Sequence, residues 1–418
     1  MRVCFVSRRY FPAISGMSVY AANLLRELVG AGHEVTMISQ YRGDEAGTRV
    51  YGGGAPPEVD GVRVIGLEAL GEQAGGDFER DVATLRETVL REAPFDVIHA
   101  QYGYPTGLAA MEAARELGVP CVVSIQGGDG HWVGSCCATH ERAMRAVLDH
   151  AGALLIGSGS FRDEVVGRFG TPASRFTIVP GAVDAERFRP PASRAAADDE
   201  GSSDSWTLGA SHRVSPSVHD LEDTPIVLYH GRVDRRKGAL DLIEAGAGLE
   251  ARIVMSGIGP DFDAARALAA ERGVDAQFPG SVPYADVPSV YRGTVFASPT
   301  YAEGFSNTIL EAMASGIPVV AGRAVGVVDC ITDGHNGRLV EPGDRTALTQ
   351  VLDELLNDPE QRTRLARQAR VDVERCYAWP VVASQIMAAY DAPIHTDWAD
   401  PSADPTEPCR FRKDPHLL

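Results

Sequence analysis

Short apolar runs alternate with amphipathic stretches along this chain, and this alternation limits the possible folds more than any other feature. Runs that are apolar throughout and are separated by helices are typical of strands in a parallel sheet covered on both faces. The first half is predicted to contain strands at Arg2–Ser7, Glu34–Ser39, Asp96–Ala100, Cys121–Ile125, Leu154–Gly157 and Thr177–Val179, with helices at Ser18–Ala31 and Thr106–Leu117.

The pattern is interrupted after residue 190 by a stretch rich in Ala, Ser, Asp and Pro, which indicates a linker or a surface excursion. It then resumes. The second half is predicted to contain strands at Ile226–His230, Arg252–Ser256, Val295–Ser298 and Val319–Ala321, helices at Ala239–Ala247, Asp261–Arg272 and Ser306–Ala314, and a long helical region from Arg345 to about Tyr390.

A chain of 418 residues suits two domains. We predict an α/β protein in which two doubly wound, Rossmann-like parallel-sheet domains face each other across a cleft that holds the ligand. The predicted parts are a first domain at 1–190, a linker at 191–224, a second domain at 225–377, a helix at 378–391 that packs back on the first domain, and a disordered tail at 392–418.

Composition limits the partners and the compartment. The net charge of −18 argues against binding to nucleic acid or anionic lipid. The seven cysteines are scattered without a CxxC pair or a zinc spacing, which is typical of reduced thiols in a cytoplasmic protein. We expect no signal peptide and no stable membrane insertion, because no apolar run approaches the roughly 20 residues that a bilayer requires. A homodimer is compatible with these features.

The segment Ser298–Val320 combines a strand end, a turn and a helix start. Gly304 permits close backbone approach, and Ser306 and Asn307 are suitable N-cap residues. Amide groups at the helix start can bind a phosphate, while Glu303 or Glu311 can accept hydrogen bonds from sugar or ribose hydroxyls. The alternative is an ordinary capped helix with two solvated glutamates.

The segment Leu228–Ala245 places Arg232 and Lys237 on a loop between a buried strand and a helix. Arginine can clamp a diphosphate with paired hydrogen bonds, and lysine adds a point charge. Of the 39 lysines and arginines in the chain, only Lys237 and Lys413 are lysines. A chain that otherwise uses arginine therefore keeps one lysine in its folded body, which favours a specific role over a solvated basic loop.

These two segments, in this order, resemble the retaining glycosyltransferase family 4, whose fold is GT-B. The resemblance rests on Gly231, Arg232, Lys237 and Gly238 in the first segment, and on Glu303 and Glu311 in the second. It implies that Arg232 and Lys237 hold the diphosphate of a nucleotide sugar, that Glu311 holds the ribose and that Glu303 contacts the transferred sugar. It also implies that the donor-binding set includes Gly304, the amides of Phe305, Ser306, Asn307 and Thr308, and Val282 after a base-contacting turn at 278–282.

The amino half is similar to the same family with several substitutions. The resemblance implies that the domain at 1–190 binds the acceptor and that the domain at 225–377 binds the nucleotide sugar. Its opening loop has Ser15 where a second glycine is common, which leaves Gly16 for close approach to the donor. Gln101 and Gln126 stand where histidines are frequent in the family. Polar residues near the expected cleft make Tyr102, Tyr104, Gln126, Asp129 and His131 acceptor-side candidates, and we see no basic cluster among them that would favour a phosphorylated acceptor.

Two features that suggest a metal are interpreted otherwise. Asp261-Phe262-Asp263 has the form of a metal-binding Asp-x-Asp pattern, but it follows a glycine-rich turn and is expected to cap a helix. Asp129, His131 and His140 lack a matching set of zinc ligands. We therefore expect no metal and no cofactor beyond the donor substrate.

The resemblance implies that a nucleoside diphosphate leaves the anomeric carbon and that the acceptor attacks from the same face. Three alternatives are a nucleotide-sugar epimerase, a non-catalytic nucleotide-sugar sensor and a pyridoxal-dependent phosphorylase, the last of which lacks a spare buried lysine. The acidic surface favours a small soluble acceptor, such as an amino-cyclitol or a thiol-pathway precursor in natural-product biosynthesis. The donor base, uridine or guanosine, stays open.

Overall fold

The structure, a computed structural model, describes residues 1–13, 15–45, 53–71, 73, 76–127, 135–190, 224–394 and 409. The predicted linker and most of the predicted disordered tail lie outside the described residues. The chain divides into two compact units. Unit 1 comprises Met1–Ala182, Glu303–Phe305 and Trp379–Leu418, and unit 2 comprises Val183–Ala302 and Ser306–Ala378.

Unit 1 is built on a seven-stranded parallel sheet with the strand order β3-β2-β1-β4-β5-β6-β7. Its strands are β1 (Arg2–Ser7), β2 (Glu34–Tyr41), β3 (Val62–Glu68), β4 (Val97–Gln101), β5 (Cys121–Ile125), β6 (Ala153–Ile156) and β7 (Phe176–Ile178). The central strand β1 pairs with both β2 and β4, so that Val3 lies opposite Val35 on one side and Val97 on the other. The strand order reverses between β1 and β4, and open α/β sheets bind ligands at such a switch point.

Helices cover the faces of this sheet. They are α1 (Gly16–Gly30), α2 (Phe78–Glu92), α3 (Leu108–Leu117), α4 (Ala138–His150) and α5 (Gly159–Phe169). Helix α1 begins where the Ser15 hydroxyl accepts a hydrogen bond from the Ser18 amide at 3.2 Å. Its apolar positions recur at helical spacing, and the buried residues Leu24, Leu25 and Leu28 face the sheet.

Unit 2 repeats the architecture with a six-stranded parallel sheet in the order β10-β9-β8-β11-β12-β13. The strands are β8 (Ile226–His230), β9 (Arg252–Ser256), β10 (Ala276–Gly280), β11 (Val295–Ser298), β12 (Val319–Gly322) and β13 (Arg338–Val340). The helices are α6 (Ala239–Gly246), α7 (Phe262–Arg272), α8 (Val287–Val290), α9 (Asn307–Ala314), α10 (Arg345–Asn357) and α11 (Pro359–Asp372). Here the switch point lies between β8 and β11.

The two ends of unit 2 meet. The Val183 amide donates to the Tyr377 carbonyl at 2.9 Å, and Val183 forms a bridge with Ala378. Nearby, the Arg370 guanidinium donates to the carbonyls of Ala185 and Phe188 at 2.9 and 2.7 Å. These bonds hold residues 183–188 in unit 2, so this unit begins before the predicted boundary at residue 190.

The last described helix, α12 (Trp379–Ala388), belongs to unit 1. Its Trp379 ring packs edge-on against Tyr20 of α1, with ring centroids 5.2 Å apart. The buried side chains of Trp379, Val382 and Ile386 lie in one core cluster with Val3 and Leu24. Unit 1 therefore takes its core from both ends of the chain.

The predicted fold class of two parallel-sheet, Rossmann-like domains is confirmed. The predicted helical region from Arg345 to about Tyr390 is helical but divided, since it consists of α10, α11, a π turn at Val373–Tyr377, α12 and a short 3-10 turn at Ala389–Asp391. The first break falls at Asp358, which caps α11 by accepting a hydrogen bond from the Gln361 amide at 2.8 Å, and Pro359 cannot continue the preceding helix. The predicted base-contacting turn is partly extended, because Ala276–Gly280 forms β10.

Candidate functional site

The switch point of unit 2 brings the two segments singled out in the sequence to one edge of the sheet. Strands β8 and β11 are direct neighbours, with Leu228 paired to Phe296, and both end at this edge. The loop after β8 carries Arg232 and Lys237, and the segment after β11 leads into α9. The sequence prediction that these segments come together is therefore consistent with the sheet order.

Short contacts join the two segments. The Tyr301 amide donates to the Arg236 carbonyl at 3.0 Å, and the Lys237 ammonium lies 3.5 Å from the Ala302 carbonyl. On the other side, a methyl group built on Gly231 would lie 3.9 Å from the Thr308 side chain. The cationic loop and the start of α9 thus form one continuous surface within unit 2.

An anionic side chain anchors the cationic loop. Asp234 is buried, and its carboxylate binds the Arg236 guanidinium at 3.0 Å and lies 3.5 Å from the Arg232 Nε atom. Burial alone would raise the pKa of Asp234, but hydrogen bonds from Arg236 outweigh it and hold this pKa below its usual value. The Arg232 side chain keeps about a third of its surface exposed, 37%, and so remains accessible to a ligand.

Helix α9 starts at Ser306 without a side-chain cap. Ser306 occupies the N-cap position, yet its hydroxyl lies 3.3 Å from the Thr308 hydroxyl and makes no capping bond to the helix amides. The first turn also carries no acidic residue. A helix start of this kind favours an anion, because its amide groups and the positive end of its dipole face the same point.

Glu311 is buried in the same helix. One of its carboxylate oxygens accepts a hydrogen bond from the Tyr291 hydroxyl at 2.6 Å, and only 6% of the residue is exposed. Burial raises the pKa of Glu311 to about 7, although the Tyr291 bond and the Arg187 charge oppose the shift. The alternative of two solvated glutamates is therefore wrong for Glu311.

Three other features predicted for the second half of the chain are found as follows. Val282 lies two residues beyond the end of β10 and is half-buried. Asp261 sits at the N-cap position of α7, but its carboxylate accepts from the Arg235 backbone amide and guanidinium, both at 2.7 Å, instead of capping the helix. Glu303, Gly304 and Phe305 group with unit 1.

The carboxyl edge of the unit 1 sheet gathers most of the first-half candidates. Gly16, Tyr102 and Gln126 follow the adjacent strands β1, β4 and β5. The buried Gln101 amide bridges two of these elements, because it accepts from the Ser7 hydroxyl at 3.0 Å and donates to the Met17 carbonyl at 3.2 Å. Gln101 thus fixes the loop before α1.

Two other acceptor-side candidates, Asp129 and His131, lie outside the described residues. Tyr104 is buried, 4% exposed, and packs between Phe78 and His140 with ring centroids 5.9 and 4.8 Å away. The expectation that Tyr104 faces a ligand is therefore wrong, because its ring belongs to the core.

The sequence analysis missed a group of buried arginines at this edge. Arg8 and Arg9 directly follow β1, and Arg42 directly follows β2, with exposures of 5%, 8% and 4%. The Arg8 guanidinium lies 5.2 Å from the centre of the Tyr102 ring. The Arg42 guanidinium already pairs with the Asp44 carboxylate, at 2.6 Å from Nη2 to Oδ2, so Arg8 and Arg9 are the pair to add to the acceptor-side candidates. The adjacent pair at positions 8 and 9 was the available signal, since a strand end that carries two arginines at a switch point is a candidate anion site.

Two doubly wound sheets, with cations and a helix start at the switch point of the second, define a glycosyltransferase of the GT-B class. Residues 15–182 match the family described as "Glycosyl transferase 4-like domain", and residues 214–372 match "Glycosyl transferases group 1". The chain is 30% identical to D-inositol 3-phosphate glycosyltransferase of Xylanimonas cellulosilytica, over 90% of this chain and 91% of that protein.

Solved structures support the fold. Sucrose-phosphate synthase from Thermosynechococcus elongatus superposes with a TM-score of 0.72 at 22% identity, covering 93% of this chain and 98% of that one. The Anabaena HepE protein in complex with UDP-glucose gives a TM-score of 0.69 at 17% identity, over the same shares. The chain belongs to glycosyltransferase family 4, as the sequence resemblance implied. Among the described residues, no helix is both long and apolar enough to cross a bilayer.

Proposed function

We propose that this glycosyltransferase moves a sugar, with retention of configuration and without a catalytic metal, from a nucleoside-diphosphate sugar to a small soluble acceptor. The observation that carries the proposal is the convergence of the Arg232–Lys237 loop and the start of α9 at the switch point of unit 2. The complex of the HepE protein with UDP-glucose shows that a GT-B relative binds such a donor.

The proposed roles follow from charge. When the nucleoside diphosphate leaves, negative charge develops on its distal phosphate, and positive charge develops on the anomeric carbon. Arg232 can pair with two phosphate oxygens, Lys237 adds a second positive charge, and the amides of 305–308 add oriented dipoles. These groups are fixed before the reaction by Asp234 and by α9, so they can stabilise the leaving group in place of a metal ion.

The carboxylates serve the neutral parts of the donor. Glu311 uses one oxygen for Tyr291, and its second oxygen is proposed to accept a ribose hydroxyl. Glu303 is proposed to bind hydroxyls of the transferred sugar, and Val282 to lie against the base. We further propose same-face attack, in which the leaving phosphate takes the acceptor proton, since the family resemblance implies this course.

The acceptor is proposed to bind at the carboxyl edge of the unit 1 sheet. Tyr102 and Gln126 supply polar contacts there, and Asp129 and His131 stay candidates. Gly16 is proposed to allow close approach of the donor at the same edge. The buried guanidinium groups of Arg8 and Arg9 favour an acceptor that carries an anionic group as well as hydroxyls. The name of the Xylanimonas relative, which specifies a phosphorylated cyclitol, is consistent with this class, and we place the reaction in natural-product biosynthesis of this type.

Calorimetry with UDP, GDP, ADP and dTDP tests the donor half directly. At least one of them should bind, and the Arg232→Ala variant should weaken that binding. If none of the four binds to the purified chain, the proposed donor site is wrong.

Product analysis tests the reaction. The donor should be transferred to D-inositol 3-phosphate more readily than to free inositol, and the proton coupling at the new anomeric centre should match that of the donor. Inversion of configuration would exclude the same-face mechanism. Isomerised sugar from donor alone would instead support an epimerase.

A further inference from the structure

A second group of reactive side chains, to which no role in glycosyl transfer has been assigned, lies in unit 1. Cys136, Cys137 and His140 lie at the start of α4, and Cys409 belongs to the carboxyl-terminal tail. One ligand atom from each of the four, three sulfurs and a ring nitrogen, lies within 4.8 Å of the other three. Cysteines that are scattered in the sequence are thus brought together by the fold.

The first turn of α4 explains why Cys136, Cys137 and His140 lie close together. Cys137 is the N-cap residue, with φ −166° and ψ 163° typical of an extended cap, and its sulfur accepts a hydrogen bond from the His140 amide at 3.4 Å. An N-cap side chain and the third helical residue lie side by side, so this turn presents a sulfur and an imidazole to the same point. Cys136 precedes the cap, and its sulfur lies 2.9 Å from the His140 Nδ1 atom.

The fourth position comes from a distant part of the chain. The Cys409 sulfur lies 3.6 Å from the same His140 Nδ1 atom, although 269 residues separate them. Cys409 is only 3% exposed and His140 only 1%. A tail that was expected to be disordered thus delivers one buried thiol to this turn.

We propose that Cys136, Cys137, His140 and Cys409 bind a structural Zn²⁺ ion. Three thiolates and one imidazole are a common donor set for structural zinc. With Zn–S bonds of about 2.3 Å, a tetrahedral site separates its ligand atoms by about 3.8 Å. The observed separations, from 2.9 Å up to the 4.8 Å limit, bracket this value, so shifts of less than about 1 Å complete the tetrahedron.

The surroundings suit a buried metal. The His140 ring packs edge-on against Phe78, with centroids 5.1 Å apart, and lies 4.8 Å from the Tyr104 ring. Such apolar walls exclude water and hold the imidazole in one orientation. On binding, each thiol gives its proton to the solvent, and the ion ties Cys409 to α4 beside the turn that follows β4. This inference is independent of the proposed glycosyl transfer.

Metal analysis of the full-length protein, purified with a reducing agent, tests the proposal. We expect about one zinc per chain, and Co²⁺ in its place should give the visible absorption of a tetrahedral thiolate site. The Cys409→Ser variant should lose at least about 100-fold in zinc affinity against a chelating indicator, because it removes a ligand. Cys376→Ser, a cysteine of unit 2, is the matched control and should keep the metal.

Circular dichroism should show the same helix content in both variants, and Cys136→Ser should repeat the loss seen for Cys409→Ser. The proposal is overturned if the native chain binds no zinc with its thiols reduced, or if Cys409→Ser retains full affinity. A disulfide between Cys409 and either neighbouring cysteine, found by mass spectrometry in a zinc-free protein, would also overturn it.

Discussion

Because the Glu311 carboxyl group is buried, we predict that the stability of the protein depends on pH even without substrate. Burial raises the pKa of Glu311 from 4.5 to about 7. Between pH 4.5 and pH 7, Glu311 is ionised in the unfolded chain but keeps its carboxyl proton in the folded chain. The contribution to stability is therefore complete below pH 4.5 and is lost as the pH rises towards 7.

The size of the effect follows from the shift. Each pKa unit corresponds to about 1.4 kcal/mol, so the ionised carboxylate destabilises unit 2 by about 3 kcal/mol above pH 7. Glu311→Gln removes the charge, and its amide oxygen can still accept the hydrogen bond of the Tyr291 hydroxyl. The variant should therefore be more stable than the native protein at pH 8 by up to about 3 kcal/mol, or roughly 6–12 °C in Tm. At pH 5 the two should differ little.

Scanning calorimetry of both proteins at pH 5 and pH 8 measures this directly. Glu271→Gln, on the exposed face of α7, is the control and should shift neither melting temperature. Calorimetric titration should also show that Glu311→Gln binds a nucleoside diphosphate roughly tenfold more weakly, because a charged acceptor is lost. If Glu311→Gln is destabilised equally at both pH values, the argument from the buried charge is refuted.

Two further substitutions probe the cationic loop. Lys237→Ala should lower kcat by about 100- to 1000-fold with an unchanged circular dichroism spectrum. The control variant Lys413→Ala should have the kcat of the native protein. Near-normal turnover of Lys237→Ala would show that Lys237 has no role in the mechanism. Gly238→Ala should destabilise unit 2 strongly in urea titrations, because φ is +71° and a methyl group there would lie 2.1 Å from the Pro299 carbonyl. Gly273→Ala, at φ +66° with open space around it, carries only the backbone strain of roughly 1 kcal/mol, and equal losses in both variants would show that the contact with Pro299 is unimportant.

The central strands could be predicted from the sequence, whereas among the edge strands only β7 was predicted, at Thr177–Val179. The ends of β1, β5, β8, β9 and β11 agree with prediction, because strands covered on both faces are apolar throughout. Strands β3 and β10 lie at sheet edges, and their residues are half-buried or exposed. Because these two strands lack a continuous apolar run, the sequence pattern did not indicate them.

In the candidate sites, residues within one short segment could be predicted, whereas contacts between distant segments could not. Arg232, Lys237 and the start of α9 could be identified because each lies in one short segment whose strand and helix are both recognisable. The partners of Glu311 could not, since Tyr291 reaches it from another element. Cys409 was beyond prediction for a similar reason, because nothing in the spacing of the cysteines relates it to His140.

Apart from the short segment Glu303–Phe305, the chain leaves unit 1 at Ala182 and returns to it at Trp379, after unit 2 has been completed. A ribosome therefore releases every strand of the first sheet long before it releases α12, whose tryptophan and isoleucine fill the core of that sheet. Domains usually complete their folding in the order of synthesis. In this protein we expect the reverse order, because the core of the first sheet lacks the side chains of α12 until that helix emerges.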